Sequence, residues 1–433
     1  MELTFKHGIH VNGNKEITKS IPLKNIDAPE TVYISLAQHI GKPAECLVQK
    51  GDKVKCGTLI GKASGFVSAN VYSSVSGEVE GIEDRITPNG SYVKHVKIKN
   101  DFKNEEETLP KLNTDSLSAE EIIERISLAG IVGMGGAGFP THVKLKPTDK
   151  VDLLIMNGAE CEPYITCDYR LMLEKGKEII SGINWIIKAL GVEKAVIGIE
   201  DNKMKAVEYL KSIATPNIEV KAVKEKYPQG AERQLIYSLT KRKVPSGALP
   251  SKAGVVVENI HTALAIYEAI ELNMPSYKRA LTLSGRAIDK PGNFIVPTGV
   301  TYEYLLSICS SEGDIKACKV LSGGPMMGFA QSNLNAAVTK NCSAILFLTK
   351  DEVNVEAPTS CINCAKCARA CPMSLMPMFI DSCVIANDLD GAKKYGLLNC
   401  IECGSCAYVC PAKRSLVQSI RQGKNLVRKS GGK

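Results

Sequence analysis

The sequence predicts a multidomain α/β protein of four folded parts and a short tail. Three observations carry that prediction. Short strand-like runs between turn signals fill residues 1–100, apolar strands alternate with segments of helical period across 115–275, and eight of the sixteen cysteines stand in two matched motifs within 355–412. A hydrophobic fraction of 44% against 23% charged residues suits a globular chain, and 433 residues exceed what one small module needs.

In the first part, residues 31–36, 54–60 and 74–82 read as strands, the second after the Gly51-Asp52 turn and the third interrupted by Gly77. This predicts a small all-β module. A polar stretch over 101–114, with Glu105, Glu106 and Glu107 in a row, reads as a linker. Ser118 and Glu121 then form a capping-box pattern, and Ile122, Ile123 and Ile126 supply the apolar stripe of a short helix to about residue 128. Strands over 151–156, 195–199, 218–223 and 254–257 alternate with helices near 169–190, 203–213, 229–240 and 261–270. Such alternation implies βαβ units and a mostly parallel sheet, whose ligands gather at the carboxyl ends of the strands. Residues 278–348 change to short strands, Pro-Gly and Gly-Gly-Pro turns and one helix near 302–308, a small α+β pattern.

The cysteine motifs are the strongest chemical signal. Cys361-x2-Cys364-x2-Cys367-x3-Cys371-Pro372 recurs as Cys400-x2-Cys403-x2-Cys406-x3-Cys410-Pro411, with a helical stretch near 379–386 between them. Two-residue gaps let one tight loop aim three thiolates at three corners of an iron cube, and in two-cluster ferredoxins the fourth cysteine reaches across to the other cube. Cys361, Cys364, Cys367 and Cys410 are thus expected to bind one [4Fe-4S] cluster, and Cys400, Cys403, Cys406 and Cys371 the second. Structural zinc leaves the third cysteine of each triplet without a use. Cys46, Cys56, Cys309, Cys318, Cys342 and Cys383 lack metal-like spacing and read as small buried hydrophobes.

Gly133, Gly135, Gly136 and Gly138 form a glycine loop that matches G-x-G-x-x-G but follows a helix, not the strand a dinucleotide fingerprint requires. Its glycines permit positive φ and close backbone approach, so successive N–H groups can form a nest for a phosphate or a flat cofactor edge, with Lys144 nearby as a cation. The strand over 151–156 runs into Asn157, Glu160, Cys161 and Glu162; Glu232 opens a later helix, and Glu258-Asn259 ends the fourth strand.

Residues 133–144, 157–163, 227–239 and 257–262 resemble, in that order, the flavin- and NADH-binding subunit of respiratory complex I, and the chain over about 5–415 resembles the C subunit of the Rnf electron transport complex. The resemblance implies a barrel-sandwich hybrid of the lipoyl/biotinyl type at 1–100, although no lysine stands at the expected tip around residues 72–75. It further implies a Rossmann-like FMN/NADH-binding α/β domain at 115–275, a β-grasp module at 278–348, a two-cluster ferredoxin-type domain at 355–412 and a basic tail at 413–433. By position, Gly133, Gly135, Gly136, Gly138, Lys144, Asn157 and Asn259 would hold FMN, while Glu160, Glu162 and Glu232 would face NADH. Ala159 and Ala231 stand where the flavin-binding subunit of complex I has acidic residues, and Cys161 where it has glycine. The implied activity is electron transfer between NAD(H) and ferredoxin in a complex that moves Na⁺ or H⁺, with hydride exchange at FMN and no general acid or base. The expected partners are the other subunits of that complex and ferredoxin, at the cytoplasmic side of the cell membrane. A soluble flavin/iron-sulfur reductase, similar to a cobalamin reductase or a reductase-associated electron donor, and a non-catalytic ferredoxin-like adaptor are the alternatives.

Charge and hydropathy agree. The net charge is +8, but seven basic residues and no acidic one follow Pro411, so the remainder carries only +1 and shows no field suited to nucleic acid. The cations of that tail suit anionic lipid or an acidic partner, or else a solvated terminus. No apolar run approaches a membrane span, and the N-terminus lacks a secretory pattern, so a cytosolic, membrane-peripheral chain is expected.

Overall fold

A computed structural model describes residues 2–311, 317–354 and 356–430. The N-terminal module is a pair of small antiparallel sheets. One has the order Thr31–Ser35, Tyr92–Asn100, Gly77–Ile86, Lys53–Val54, and the other Glu45–Cys46, Leu59–Lys62, Val71–Tyr72. Alternate residues of the first sheet face inward, as period-two side chains require, so Val32, Ile34, Val96 and Ile98 meet Ile60 and Val71 in one core. The strand expected over 54–60 is two strands, because Gly57 turns the chain at φ +97°. The acidic stretch after residue 100 lies along this module: the Cys56 N–H donates to the Glu105 carbonyl at 2.8 Å, and the Cys56 carbonyl accepts from the Glu107 N–H at 2.8 Å.

The α/β part holds four parallel strands in the order Ile218–Val223, Ala195–Glu200, Leu153–Asn157, Val255–Asn259. Helix Ala119–Leu128 starts with both arms of its capping box formed by Ser118 and Glu121. The single helix expected over 169–190 is two, Cys167–Glu174 and Gly176–Leu190. The break brings Gly176 so close to Tyr209 that a Cβ there would sit 2.6 Å from the ring. Helix Gly176–Leu190 packs on Ile260–Glu271 through Gly182, whose missing side chain admits the Ala263 backbone.

The third part is a six-stranded mixed sheet in the order Leu23–Asn25, Gly292–Pro297, Lys278–Ser284, Ala344–Leu348, Lys319–Ser322, Phe329–Ala330, with helix Tyr302–Cys309 packed against it. Its edge strand comes from the N-terminal segment, paired in parallel with Gly292–Pro297, so the first and third parts share a sheet. Residues 312–316 of this part, Met1, Val355 and residues 431–433 lie outside the described residues.

The cysteine lobe contains helices Lys366–Ala370, Pro377–Ile385, Leu389–Lys394 and Ser405–Tyr408. Where the charge run alone allows a solvated tail after residue 412, the structure has helix Leu416–Lys429 packed on the lobe. Leu416, Val417, Ile420 and Val427 are buried, with Ile420 and Val427 joining the core of Ile380, Val384 and Leu397. The tail's cations are largely engaged within the chain: Arg414 pairs with Asp381 at 2.6 Å, Arg421 with Glu402 at 3.0 Å, and Lys424 bonds Glu402 at 2.7 Å and the Cys400 carbonyl at 2.6 Å. The period of apolar residues, not the charge, decides this segment. Among the described residues no helix is long and apolar enough to cross a membrane.

The tight helix crossing yields a stability test. A Cβ on Gly182 would lie 1.9 Å from the Ala263 carbonyl oxygen, so Gly182→Ala forces the helices apart at an overpacking cost of ~1–3 kcal/mol. The thermal-unfolding midpoint is expected to fall relative to the parent chain, and an unchanged midpoint contradicts the crossing.

Candidate redox site

The glycine loop leaves helix Ala119–Leu128 and is pinned at one residue. Met134 donates to the Thr262 hydroxyl at 3.1 Å and accepts from the buried Arg279 guanidinium at 2.7 Å, while Gly133 donates to the Phe139 carbonyl at 2.8 Å. Gly135, Gly136 and Ala137 are exposed, and the N–H groups from Gly135 to Gly138 have no protein acceptor among the described residues. Gly135 passes so close to Asn259 that a Cβ would meet its amide nitrogen at 2.8 Å, and Gly138 takes φ +72°. A loop held at its base with several free donors is the arrangement an anionic group needs.

The neighbouring strand ends face the loop. Asn157 and Asn259 are direct partners in the parallel ladder. Asn157 donates to the Gly230 carbonyl at 2.8 Å; Asn259 caps helix Ile260–Glu271 and donates to Asp168 at 2.7 Å. Lys144 pairs with Glu232 at 3.0 Å; burial works against its charge, but Glu258 and Glu232 more than offset that and hold it above the ordinary lysine range. Burial pushes Glu258 up to about 7, against the pull of Lys144, and one of its oxygens has no partner. The Gln229 amide beside Gly230 is fully buried with neither its oxygen nor its nitrogen paired. Free loop N–H groups beside Asn259, together with Lys144 set between Glu232 and Glu258, supply donors and a cation of the kind that fit a flavin mononucleotide.

Glu160 and Glu162 are each held by hydrogen bonds within the chain. Glu160, at φ +46°, turns its carboxylate back onto the start of helix Cys167–Glu174, accepting from Asp168 N–H at 2.7 Å. Glu162 accepts from the Tyr227 hydroxyl at 3.0 Å and Met326 N–H at 3.2 Å. Burial raises both to about 7. Beneath the same loop lie two cations with no local sequence pattern to reveal them. Lys15, from the N-terminal segment, donates to the carbonyls of Glu160, Glu162 and Ile165 at 2.8, 2.9 and 2.6 Å, and Lys203 donates to the Ala159 carbonyl at 2.8 Å. Both border a cavity of about 690 Å³.

In the cysteine lobe the crossed arrangement is present in space. Cys361, Cys364, Cys367 and Cys410 line one cavity, and Cys371, Cys400, Cys403 and Cys406 line another. Two cavities, each walled by three thiols of one motif and one of the other, fit a pair of iron cubes. Tyr227 connects this lobe to the flavin-side loop: its buried hydroxyl bonds Glu162 and the Cys403 carbonyl, the latter at 2.7 Å. Of the six cysteines expected as small buried hydrophobes, Cys56, Cys309 and Cys342 are buried, Cys46 and Cys383 are partly so, and Cys318 is exposed.

Comparison with known proteins decides the family. Residues 3–103 match the RnfC barrel sandwich hybrid domain, 126–268 the Nuo51 FMN-binding domain and 354–411 a 4Fe-4S dicluster domain. The chain is 47% identical to the C subunit of the proton-translocating ferredoxin:NAD(+) oxidoreductase complex of Clostridium ljungdahlii, over 99% of this chain and 95% of that one. It is 44% identical to the C subunit of the Na(+)-translocating ferredoxin:NAD(+) oxidoreductase complex of Acetobacterium woodii, over 98% and 97%. The chain belongs to the RnfC family. FMN and [4Fe-4S] clusters are its cofactors. Among solved structures, a crystal structure of NAD+-reducing [NiFe]-hydrogenase in the H2-reduced state is similar in fold, with a TM-score of 0.52 at 17% identity over 73% of this chain and 67% of that one.

Glu258 provides a pH test of this RnfC-family site. A carboxyl raised to about 7 keeps its proton in the folded chain after the unfolded chain has lost it, so stability falls as pH rises from the ordinary glutamate value of 4.5 to about 7. Glu258→Gln removes that loss. The variant is expected to narrow the stability difference between about pH 5 and about pH 8 by at least ~1.4 kcal/mol, one pKa unit's worth. Denaturation curves at the two pH values measure it, and parallel losses in both proteins contradict the assignment.

Proposed function

We propose that this chain is the electron-transfer subunit of a membrane-bound complex that couples electron flow between NAD(H) and ferredoxin to translocation of Na⁺ or H⁺. Its place is peripheral, on the cytoplasmic side of the cell membrane, with the other subunits and ferredoxin as partners. The names of the two relatives covered almost end to end support the activity. The observation that carries the reading for this chain is Tyr227, whose one hydroxyl bonds both the loop beside the flavin cradle and a cysteine of the second motif. A bound FMN would supply the conversion between a hydride's electron pair and the single electrons that iron cubes accept.

The residues bind and orient. Gly133, Gly135, Gly136 and Gly138 supply backbone donors; Lys144, Asn157 and Asn259 surround the same cradle. Glu232, about 39% exposed at its side chain, is the carboxylate of the three that remains open to NADH. Glu160 and Glu162 act by shaping the loop. Cys361, Cys364, Cys367 and Cys410 hold one cluster, and Cys400, Cys403, Cys406 and Cys371 the other. We further assign the parallel sheet of the flavin part to a Rossmann-like arrangement and the sheet around Lys278–Ser284 to a β-grasp, with domains at 1–100, 115–275, 278–348 and 355–412. Helix Leu416–Lys429, within the expected tail at 413–433, completes the last of these.

Anaerobic purification with iron, sulfide and flavin quantified, followed by NADH addition, tests the function. About eight irons, FMN and bleaching of the visible spectrum by NADH are expected; colourless protein that holds only zinc and ignores NADH overturns it. Crossed ligation has its own outcome. Cys371→Ser is expected to lower the iron content from about eight to about four per chain, with the lost signal matching that of Cys403→Ser and not that of Cys361→Ser. A match to Cys361→Ser refutes the crossing.

A further inference from the structure

The loop after strand Leu153–Asn157 is built in an unusual way, and resting on the flavin reading above it shows how the site is tuned. Two ammonium groups lie on one side of it: Lys203 takes the Ala159 carbonyl and Lys15 the Glu160 carbonyl. A trans peptide points its C=O and N–H in opposite directions. The Glu160 N–H is therefore turned away from Lys203 and the Cys161 N–H from Lys15, and neither has a protein acceptor among the described residues. Positive φ at Glu160 lets two successive N–H groups converge as in a nest. The loop is also tied to the cradle's remaining parts. Ala159 donates to Asn157 Oδ1 at 3.2 Å, the Cys161 thiol accepts from Gly230 N–H at 3.3 Å, and Glu160 meets the Asp168 that Asn259 bonds.

We propose that Lys15 and Lys203 are positioning residues for FMN, which orient the Glu160 and Cys161 N–H groups toward it and place positive charge behind them, favouring its reduced form. The reduced flavin carries more negative charge than the oxidised one, so donors backed by cations discriminate between the two states and not merely bind both. Lys15 is held where it is by its three carbonyls, and Lys203 by Glu200 and Asn202 in addition to Ala159. The first lysine reaches in from the N-terminal segment, so that segment participates in flavin chemistry.

The test is an anaerobic redox titration of the purified full chain and its variants. Lys15→Gln is expected to shift the flavin midpoint to more negative potential, equivalent to at least a tenfold relative loss of affinity for the reduced form, or ~30 mV for a two-electron couple. Lys19→Gln, at a lysine that borders the same cavity but among the described residues pairs only with exposed Glu16, is expected to leave the midpoint unchanged. A Lys15→Gln protein with flavin bound at the parental midpoint overturns the proposal. Should that variant not fold, Lys203→Gln carries the same expectation and the same refutation. Absence of flavin from the parental chain strikes the functional reading itself, whereas parental flavin with unshifted variants strikes only the lysine pair.

Discussion

Tyr227 and Glu162 meet where three parts of the chain converge, and the spacing of the redox machinery depends on that meeting. Electrons pass between centres only over short distances, so the loop beside the flavin cradle and the cysteine lobe need a fixed relation. The Tyr227 hydroxyl bonds a carboxylate on one side and the Cys403 carbonyl on the other, and the Met326 N–H brings in the third part through the same carboxylate. Gly324 packs where any side chain would collide with Glu162, its Cβ position lying 2.0 Å from the carboxylate. A buried phenol that offers its one hydroxyl hydrogen to two acceptors is costly to displace, since each orphaned polar group would lose its partner away from water.

Around that junction the molecule spends buried charge for geometry. Lys15 and Lys340 bond backbone carbonyls of parts other than their own, and Lys203 bonds one 44 residues away within its own part. Lys340 joins the Asn70 and Gly130 carbonyls, linking the β module to the entry of the glycine loop, and burial draws it down to about 7. Ammonium groups suit this role because one compact cation can satisfy several carbonyls at once, where an apolar residue would leave each unpaired. On the cysteine side, Lys424 and Arg421 converge on Glu402 and the Cys400 carbonyl, fixing the loop of the second motif in the same manner.

What the sequence reveals depends on how local the cause is. The cysteine motifs are legible because tight-loop geometry is written in two-residue gaps, and the parallel strands because apolar runs and helical periods alternate over a few tens of residues. Asn157 and Asn259 are legible as strand ends, and their ladder pairing follows. Lys15 and Lys203 are not legible: an isolated lysine carries no pattern, and Lys15 finds its acceptors some 145 to 150 residues away. The bonds of Glu162 to Tyr227 and Met326 are not legible either, because both partners lie in distant segments. The terminal helix carries its signal in Leu416, Val417, Ile420 and Val427, a period that the density of cations obscures.

The strand Leu23–Asn25 gives the front of the chain a particular mechanical character. Modules of the carrier type ordinarily hang on pliable tethers and shuttle a group between stations. Here the segment just ahead of the module is stitched by parallel pairing into the same sheet as Gly292–Pro297, and Lys15 is anchored on the flavin side of the molecule. The module is thereby clamped at its root like a bracket. Its contribution to the architecture is rigidity: the shared sheet joins the front of the chain to the part that carries Gly292–Pro297.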